Sequence, residues 1–365
     1  MRSIKYLLQL FIIAVLISCK PTTDQSKEYS WALLPFTKAD DVNPVLLPDT
    51  NSTFLCPVRN TIVQWEEKDV FNPAAVVRND TVFLLFRAED SIGKFAGTSR
   101  IGLAWSTDGL HFKKHPVPVL YPDNDAEKIY EWEGGCEDPR IVEDENGTYY
   151  MTYTAYDGDK ARLLVASSKD LYHWTKHGHV FKKDTAEVNK WSKSGSIVCK
   201  YENGKAIAVK IDGKYNMYWG DTDIFLSVSD DLINWYVVSD DNGKTRTIFG
   251  PRSKKFDSDL VEPGPPAMLT DKGIVLIYNS RNVPSKGDTS LVEGTYSVSQ
   301  ILIDKNNPTQ VIDRMDSYFM KPDKSYEITG QVNHVCFVEG LVNYKGKWFL
   351  YYGTADSKIA VAVHQ

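Results

Sequence analysis

A hairpin that recurs along the whole chain limits its fold more than any other feature. NPAAVVRNDTVFLLFRAED begins at Asn72, DPRIVEDENGTYYMTYTAYDG at Asp138 and SGSIVCKYENGKAIAVKIDG at Ser194. EPGPPAMLTDKGIVLIYNSR follows at Glu262 and EGLVNYKGKWFLYYGTADS at Glu339. Each reads as a strand, a turn and a second apolar strand. The turns fall at Asn79-Asp80, Asn146-Gly147, Asn203-Gly204, Asp271-Lys272-Gly273 and Lys345-Gly346. Asn-Gly between alternating segments is a strong hairpin signal, because type I′ turns need positive φ at both central residues.

A second pattern alternates with the first: IGLAWSTDGLHF from Ile101, LLVASSKDLYHW from Leu163 and IFLSVSDDLINW from Ile224. Each is an apolar strand, a Ser/Asp turn and an aromatic placed to cover a sheet edge. GTYSVSQILID from Gly294 and SKIAVAVHQ from Ser357 are fainter copies. A unit of two hairpins cannot bury both of its faces alone, so such units must pack against one another. Four strands per unit, five units and no long helical periodicity predict an all-β chain folded as a five-bladed β-propeller. The competing arrangement, two packed β-sandwiches, fits an unbroken repeat less well. The residues before Asn72, with Pro35, Pro44, Pro48 and Pro57, are expected to wrap one face or help close the ring.

In a propeller the first strand of each blade lines the central channel, and its start reaches one open face. The leading residues Asn72, Asp138, Ser194, Glu262 and Glu339 are therefore expected to share one pocket. Asp and Glu also cap turns. Here, however, an acid precedes proline at equivalent sites twice, in Asp138-Pro139 and Glu262-Pro263, and proline suits the first residue of a strand. Converging carboxylates fit glycoside chemistry, in which one protonates the leaving oxygen and another activates water. Arg87 and Arg281 are candidates to orient hydroxyls or hold anions, and Trp132, Trp191 and Trp219 are candidate sugar platforms. Arg140 and Asn279, in the same blade-end stretches, are counted with the substrate contacts.

Composition narrows the class. The 365 residues carry a net charge of −6 with no block of Lys or Arg, which argues against a nucleic-acid partner. Arg2 and Lys5 precede an apolar run from Leu7 to Ile17, the pattern of a secretory leader and short for a membrane span. Leu16-Ile17-Ser18-Cys19 resembles a bacterial lipobox. The expected organisation is thus a leader over 1–18, lipidation at Cys19, a polar tether over 19–30 and a catalytic propeller over 31–365. Such a product is exported and held to a bilayer by lipid, on the periplasmic or cell-surface side. Cys56, Cys136, Cys199 and Cys336 match no zinc spacing and are expected as small buried hydrophobes.

FNPAAVVR with FRAED, TSRIGLAWSTDGLHF, EDPRI, the DL–W hairpins, and GLV with LYYGTADSKIAVA together resemble glycoside hydrolase family 130. The likeness runs in matching order from roughly Phe71 to the C-terminus. It implies a five-bladed propeller acting on β-mannosides, either an inverting phosphorylase that forms mannose 1-phosphate or a β-1,2-mannosidase that uses water. The resemblance implies an acid-side role for Asp138, with the proton passed through a hydroxyl of the bound mannose. It implies mannose contacts for Asn72, Arg87 and Asp356, with Asp90 and Tyr156 nearby. No metal or organic cofactor is expected, since carboxylates suffice to stabilise an oxocarbenium-like transition state.

The chain departs from the phosphorylase pattern where basic side chains would hold phosphate. Leu260-Val261-Glu262-Pro263-Gly264 and Tyr278-Asn279-Ser280 stand there, and the third unit offers Ser192 and Lys210. A carboxylate at Glu262 repels a phosphate dianion and supplies a base for water. Asp221 in YWGDTDI is a second candidate for that role, with Asp223 a weaker one. The sequence reading is an inverting β-mannosidase. The alternatives are a β-mannoside phosphorylase, with Lys210, Arg246, Arg252 and Arg281 as anion ligands, and a non-catalytic carbohydrate-binding lipoprotein. A propeller that cleaves arabinan or fructan fits the motifs poorly.

Overall fold

Antiparallel pairing collects the strands into successive groups. Asp69–Arg78, Thr81–Glu89, Ser99–Ser106 and Lys113–Lys114 form the first. Gly135–Glu143, Tyr149–Tyr156, Ala161–Ser168 and Thr175–His179 form the next. Ser196–Glu202, Lys214–Trp219, Ile224–Ser229 and Trp235–Val237 follow. Then come Leu260–Pro263 and Ala267–Leu269 on Ile274–Arg281, with Tyr296–Ile303 and Val311–Arg314 outside them. Cys336–Tyr344, Lys347–Thr354 and Lys358–His364 complete the order. The computed structural model describes residues 29–184 and 187–365. The expected leader, Cys19 and all but the last two residues of the tether lie outside the described residues.

Among the described residues the fold is all-β, and the two helices found there, Lys128–Glu131 and Ser325–Ile328, are single turns. Neighbouring groups touch through short parallel bridges such as Ser99↔Gly135 and Ile207↔Glu143. Gly135 is needed at the first, because a Cβ there would run into the Ser99 backbone. The groups are held together mainly by apolar layers between them. Leu85 and Leu103 pack with Ile141 and Tyr153, and Leu163 and Val165 with Met217 and Trp235. Tyr218 and Leu226 pack with Leu276 and Ile301, and Ile277 and Val298 with Leu350 and Tyr352. Tyr351 and Val361 then pack with Leu84 and Phe86, which returns the series to its start. Cys56, Cys136, Cys199 and Cys336 are all free and buried, as expected.

Local chemistry explains why the repeats fold alike. Ser106, Ser168 and Ser229 each accept from the amide three residues on, at Gly109, Leu171 and Leu232. Asp108, Asp170 and Asp231 each accept two further amides of the same turn. These bonds hold Leu171 and Leu232 at φ of 75° and 65°, which leucine otherwise avoids. The hairpin turns Asn79-Asp80, Asn203-Gly204 and Lys345-Gly346 have positive φ at both residues, as type I′ requires. Asn146-Gly147 does not. There Asp144 accepts from the Asn146 and Thr148 amides and makes a longer loop.

The chain before Asn72 joins its two ends. Thr37 and Lys38 pair with Val363 and Ala362 of the last strand. Lys38 Nζ lies 2.7 Å from Glu327 Oε2, whose side chain is wholly buried and also accepts from the Tyr352 hydroxyl. Removing one partner of a buried ion pair strands the other charge. Lys38→Met is therefore expected to lower unfolding free energy by roughly 3–5 kcal/mol. Urea denaturation checks this as a lower midpoint at unchanged slope.

Candidate active site

Irregularities in the innermost strands aim polar side chains at one point. Strand register slips between Phe71 and Pro73, between Glu137 and Arg140, and between Val338 and Gly340. An unpaired bulge residue turns its side chain away from the ladder, and the residues concerned include Asn72, Asp138 and Glu339. Asn72 and Asp138 take φ of 47° and 49°, a left-handed conformation that Asn and Asp tolerate best among non-glycine residues. Ser194, just before its strand, has φ 58°. Gly353 leaves room for this arrangement, since a Cβ there would overlap Asn72 Oδ1.

The side chains meet in a connected cluster. Asn72 Nδ2 donates to Asp138 Oδ1 at 3.0 Å, and Arg87 Nη1 approaches the same oxygen at 3.3 Å. Arg87 Nη2 lies 2.7 Å from Glu89 and 3.0 Å from Glu137, while Arg87 Nε donates to Ser99. Lys193 Nζ lies 3.7 Å from Asp138 Oδ2 and 3.8 Å from Glu262 Oε1. Ser194 Oγ donates to that same Glu262 oxygen. Arg140 lies beneath, donating to the carbonyls of Asp138, Pro263 and Gly264. Its Nη2 is 3.0 Å from Glu339 without hydrogen-bond alignment, and neither Glu339 oxygen has a hydrogen-bond donor.

Burial and charge set the protonation of this cluster. Burial alone would raise Asp138, but the charges of Arg87 and Lys193 and the Asn72 bond reverse this and hold it below the usual carboxylate range. Burial raises Glu137 despite Arg87, and Asp138 beside it adds to the rise. Burial likewise pushes Asp356 up to about 7, raises Glu262, and raises Glu339 far more. Asp356 keeps accessible surface although protein surrounds it, which is how a group lining a concave site behaves. Tyr296 is pushed up to about 12, by burial and then by the Glu262 charge. Six carboxylates (Glu89, Glu137, Asp138, Glu262, Glu339, Asp356) thus face three cations, Arg87, Arg140 and Lys193, with Lys68 reaching Glu89 from outside. Carboxylates in such excess retain protons near neutral pH. Among the described residues, no group of three or more His, Cys, Asp or Glu side chains is placed to hold a metal ion.

The family model for glycoside hydrolase family 130, described as β-1,4-mannooligosaccharide phosphorylase, matches residues 50–365. The chain belongs to glycoside hydrolase family 130. It is 30% identical to a 1,2-β-oligomannan phosphorylase of Thermoanaerobacter sp. (strain X514), over 88% of this chain and 94% of that one. A putative glycosidase from Bacteroides thetaiotaomicron VPI-5482 is 46% identical, with a TM-score of 0.90 over 93% of this chain and 99% of that one. A further structure matches at 46% identity and a TM-score of 0.90, covering 93% of this chain and 96% of that one. It is described by the statement that the GH130 family of mannoside phosphorylases contains glycoside hydrolases that target β-1,2 mannosidic linkages in Candida mannan.

Several residues expected in the site of this family 130 chain lie elsewhere or do other work. Arg140 is fully buried and its donors go to backbone carbonyls, so it braces the cluster and does not meet substrate. Asn279 clasps the backbone of Val338 with both ends of its amide. Asp90 is buried against Arg100 and the Thr98 amide. Lys210 is exposed over the Tyr215 ring and borders an open groove of about 740 Å³ with Met268, Lys305 and Trp348, away from the carboxylates. Arg252, Arg246 and Arg281 each pair with a separate acid, Asp257, Asp241 and Asp259, and form no joint anion site. Ser192 accepts from the Leu163 amide and is buried.

Other expected residues do border the cluster. Trp191 is 47% exposed, and its Nε1 donates to Asp221, which places Asp221 at the rim. The charge of Asp221 still reaches Lys193 and Glu262. Tyr156 is half-buried beside Phe95. Trp132 carries Arg59 over one face of its ring, and Trp219 packs into the core against Phe181 and Phe225. Lys193 and Tyr296 went unnoticed in the sequence. The signal for Lys193 was its place directly before the leading residue Ser194.

Arg140→Met removes the cation that contacts Glu339 and frees three carbonyls. It is expected to cost roughly 3–5 kcal/mol of stability, read by urea unfolding. Lys210→Ala is expected to leave kcat/KM unchanged within about twofold, as a surface change away from the site does.

Proposed function

We propose that this chain hydrolyses β-mannosides with inversion, preferring β-1,2 linkages, on a five-bladed β-propeller spanning 31–365. The five antiparallel groups and the apolar layers that run round them in a cycle support the blade count. The observation that carries the reading is Glu262 facing Asp138 across Lys193, among more carboxylates than cations. A phosphate dianion entering there meets the Glu262 carboxyl where a cation would be needed, whereas water meets a buried base. The likeness to structures at 46% identity, one described in terms of β-1,2 mannosidic linkages, supports the same reading.

In this mechanism Asn72, Arg87 and Asp356 hold the mannosyl ring. The leaving oxygen takes its proton from the Asp138 side, through a mannose hydroxyl as the family resemblance implies, and the bond from C1 to that oxygen breaks. Water forms the new bond at C1 from the opposite face and gives its proton to Glu262, which Ser194 and Lys193 orient. Lys193 Nζ lies 3.7 Å and 3.8 Å from the facing oxygens of Asp138 and Glu262, and inversion is what the family resemblance implies. Asp221 holds the Trp191 indole at the rim.

One observation favours phosphorolysis as a second reading: Lys193 is a cation at the centre of the site, and phosphorylases stand among the relatives. Incubation with β-1,2-mannobiose, with and without inorganic phosphate, separates the two. Equal release of mannose in both supports hydrolysis, and phosphate-dependent mannose 1-phosphate overturns it.

Glu262→Gln is expected to lower kcat by roughly 100-fold or more, the usual weight of a general base. A base must be ionised, and burial raises Glu262 above an ordinary glutamate. Activity should therefore rise with pH through that elevated pKa, giving an acid limb that Glu262→Gln removes from the kcat/KM profile. We also propose that Cys19 is lipidated after export. Incorporation of labelled palmitate that is lost in Cys19→Ala checks this.

A further inference from the structure

Asp138 poses a difficulty for any reaction that protonates a leaving oxygen from its side. Arg87, Lys193 and Asn72 surround it with positive charge and a donor, so the free pocket keeps it ionised. A proton must reach it from a nearby group. The neighbouring Glu137 is placed for this. It is buried, and its Oε1 lies 3.0 Å from Nη2 of the same guanidinium whose Nη1 meets Asp138. The bulge between Glu137 and Arg140 allows both consecutive side chains to reach Arg87, where an unbroken strand would send them to opposite faces. Glu89 competes for Nη2 at 2.7 Å, so one guanidinium serves three carboxylates.

We propose that Glu137 and Asp138, crowded on the one Arg87 guanidinium, share one proton, with Glu137 its holder in the free enzyme and the source from which Asp138 is charged for proton donation. The inference rests on the reading of the site as one that cleaves a glycosidic bond, and it applies equally to hydrolysis and phosphorolysis. The groups facing Glu137 are Arg87 and Glu89 from the adjacent strand, Asp138 beside it, and Lys193 from the loop before Ser194. Burial and the neighbouring carboxylates Asp138 and Glu89 favour the protonated form, against the pull of Arg87 and Lys193. Two carboxylates crowded at one site cannot both ionise freely, and pairs whose environments differ divide into acid and base.

The step balances simply. The O–H bond on Glu137 breaks as its proton passes to an intervening water, which gives one of its own protons to Asp138, while the Arg87 guanidinium stays charged throughout. That proton passes to the leaving oxygen as the C1–O bond breaks, and water gives a proton to Glu262. Glu262 then releases its proton to solvent and Glu137 takes one up, which resets the pair. Glu137 acts through Asp138 and is a positioning residue.

The test compares wild type, Glu137→Gln and Glu137→Asp over a pH series. An acid must be protonated, so its loss appears as the alkaline limb of kcat/KM. With Glu137→Gln that limb is expected to move to lower pH, kcat near neutrality to fall by roughly 10–100-fold, and KM to change by less than about threefold. Glu137→Asp should restore much of the limb. A residue that merely supported the fold would lower stability and leave the limb in place, and an unmoved limb in Glu137→Gln overturns the proposal. A second arm needs no turnover. Carbon-13 NMR of protein labelled at the glutamate carboxyl should show one signal titrating near neutral pH that vanishes in Glu137→Gln. Its absence overturns the proposal even if the wild type cleaves mannosides. Failure of the wild type to cleave any mannoside sinks the functional reading instead, and leaves the proton sharing to be decided by the NMR titration.

Discussion

Lys193 stands between Asp138 and Glu262, half-buried, and much of the site follows from that placement. A half-buried cation with carboxylates on both sides stays charged and keeps those carboxylates apart but close. Its charge, with that of Arg87, keeps Asp138 ionised while burial raises Glu137, Glu262, Glu339 and Asp356. The cluster therefore holds more carboxylates than cations, and several of them keep protons more readily than free carboxylates do. Arg140 contributes by fixing the backbone around the carboxylates, joining the Asp138 carbonyl to those of Pro263 and Gly264.

The scaffold makes this density of charge possible. Each group of strands buries its apolar faces against its neighbours, so the ends of the inner strands are free to carry polar side chains. The bulges at Asn72, Asp138 and Glu339 convert regular strands into converging side chains, and Gly353 leaves the space they need. Thr37 and Lys38 fasten the two ends of the chain, and the pairing of Lys38 with Glu327 closes the seam.

Much of this was legible in the sequence because the repeat fixes equivalent positions. Asn72, Asp138, Ser194, Glu262 and Glu339 head their units, and all five do enter one cluster. The third unit shows where such reading fails. Its Asn203-Gly204 hairpin is genuine, but Lys205–Ala208 meets the first strand over its far half alone, from Cys199 to Glu202. A second turn at Asp212-Gly213 brings in Lys214–Trp219, which is the strand that pairs with Ser196 and Ile197 at the site end. Lys210 therefore sits at the outer end, and Lys193 supplies the cation. Arg140, Asn279 and Asp90 were misplaced for a related reason: charged or amide side chains near a site also satisfy buried backbone, and spacing does not tell the two uses apart.

The most direct test of the account is the stereochemistry and oxygen source of the product. β-1,2-Mannobiose is treated with the enzyme in ¹⁸O-labelled water containing phosphate, and early products are followed by proton NMR and mass spectrometry. Water activated by Glu262 on the face opposite the leaving group predicts α-mannose as the first product, with the label at C1. Labelled β-mannose would mean retention, and unlabelled mannose 1-phosphate would mean phosphate attack. Either result would contradict the roles assigned to Glu262 and Lys193.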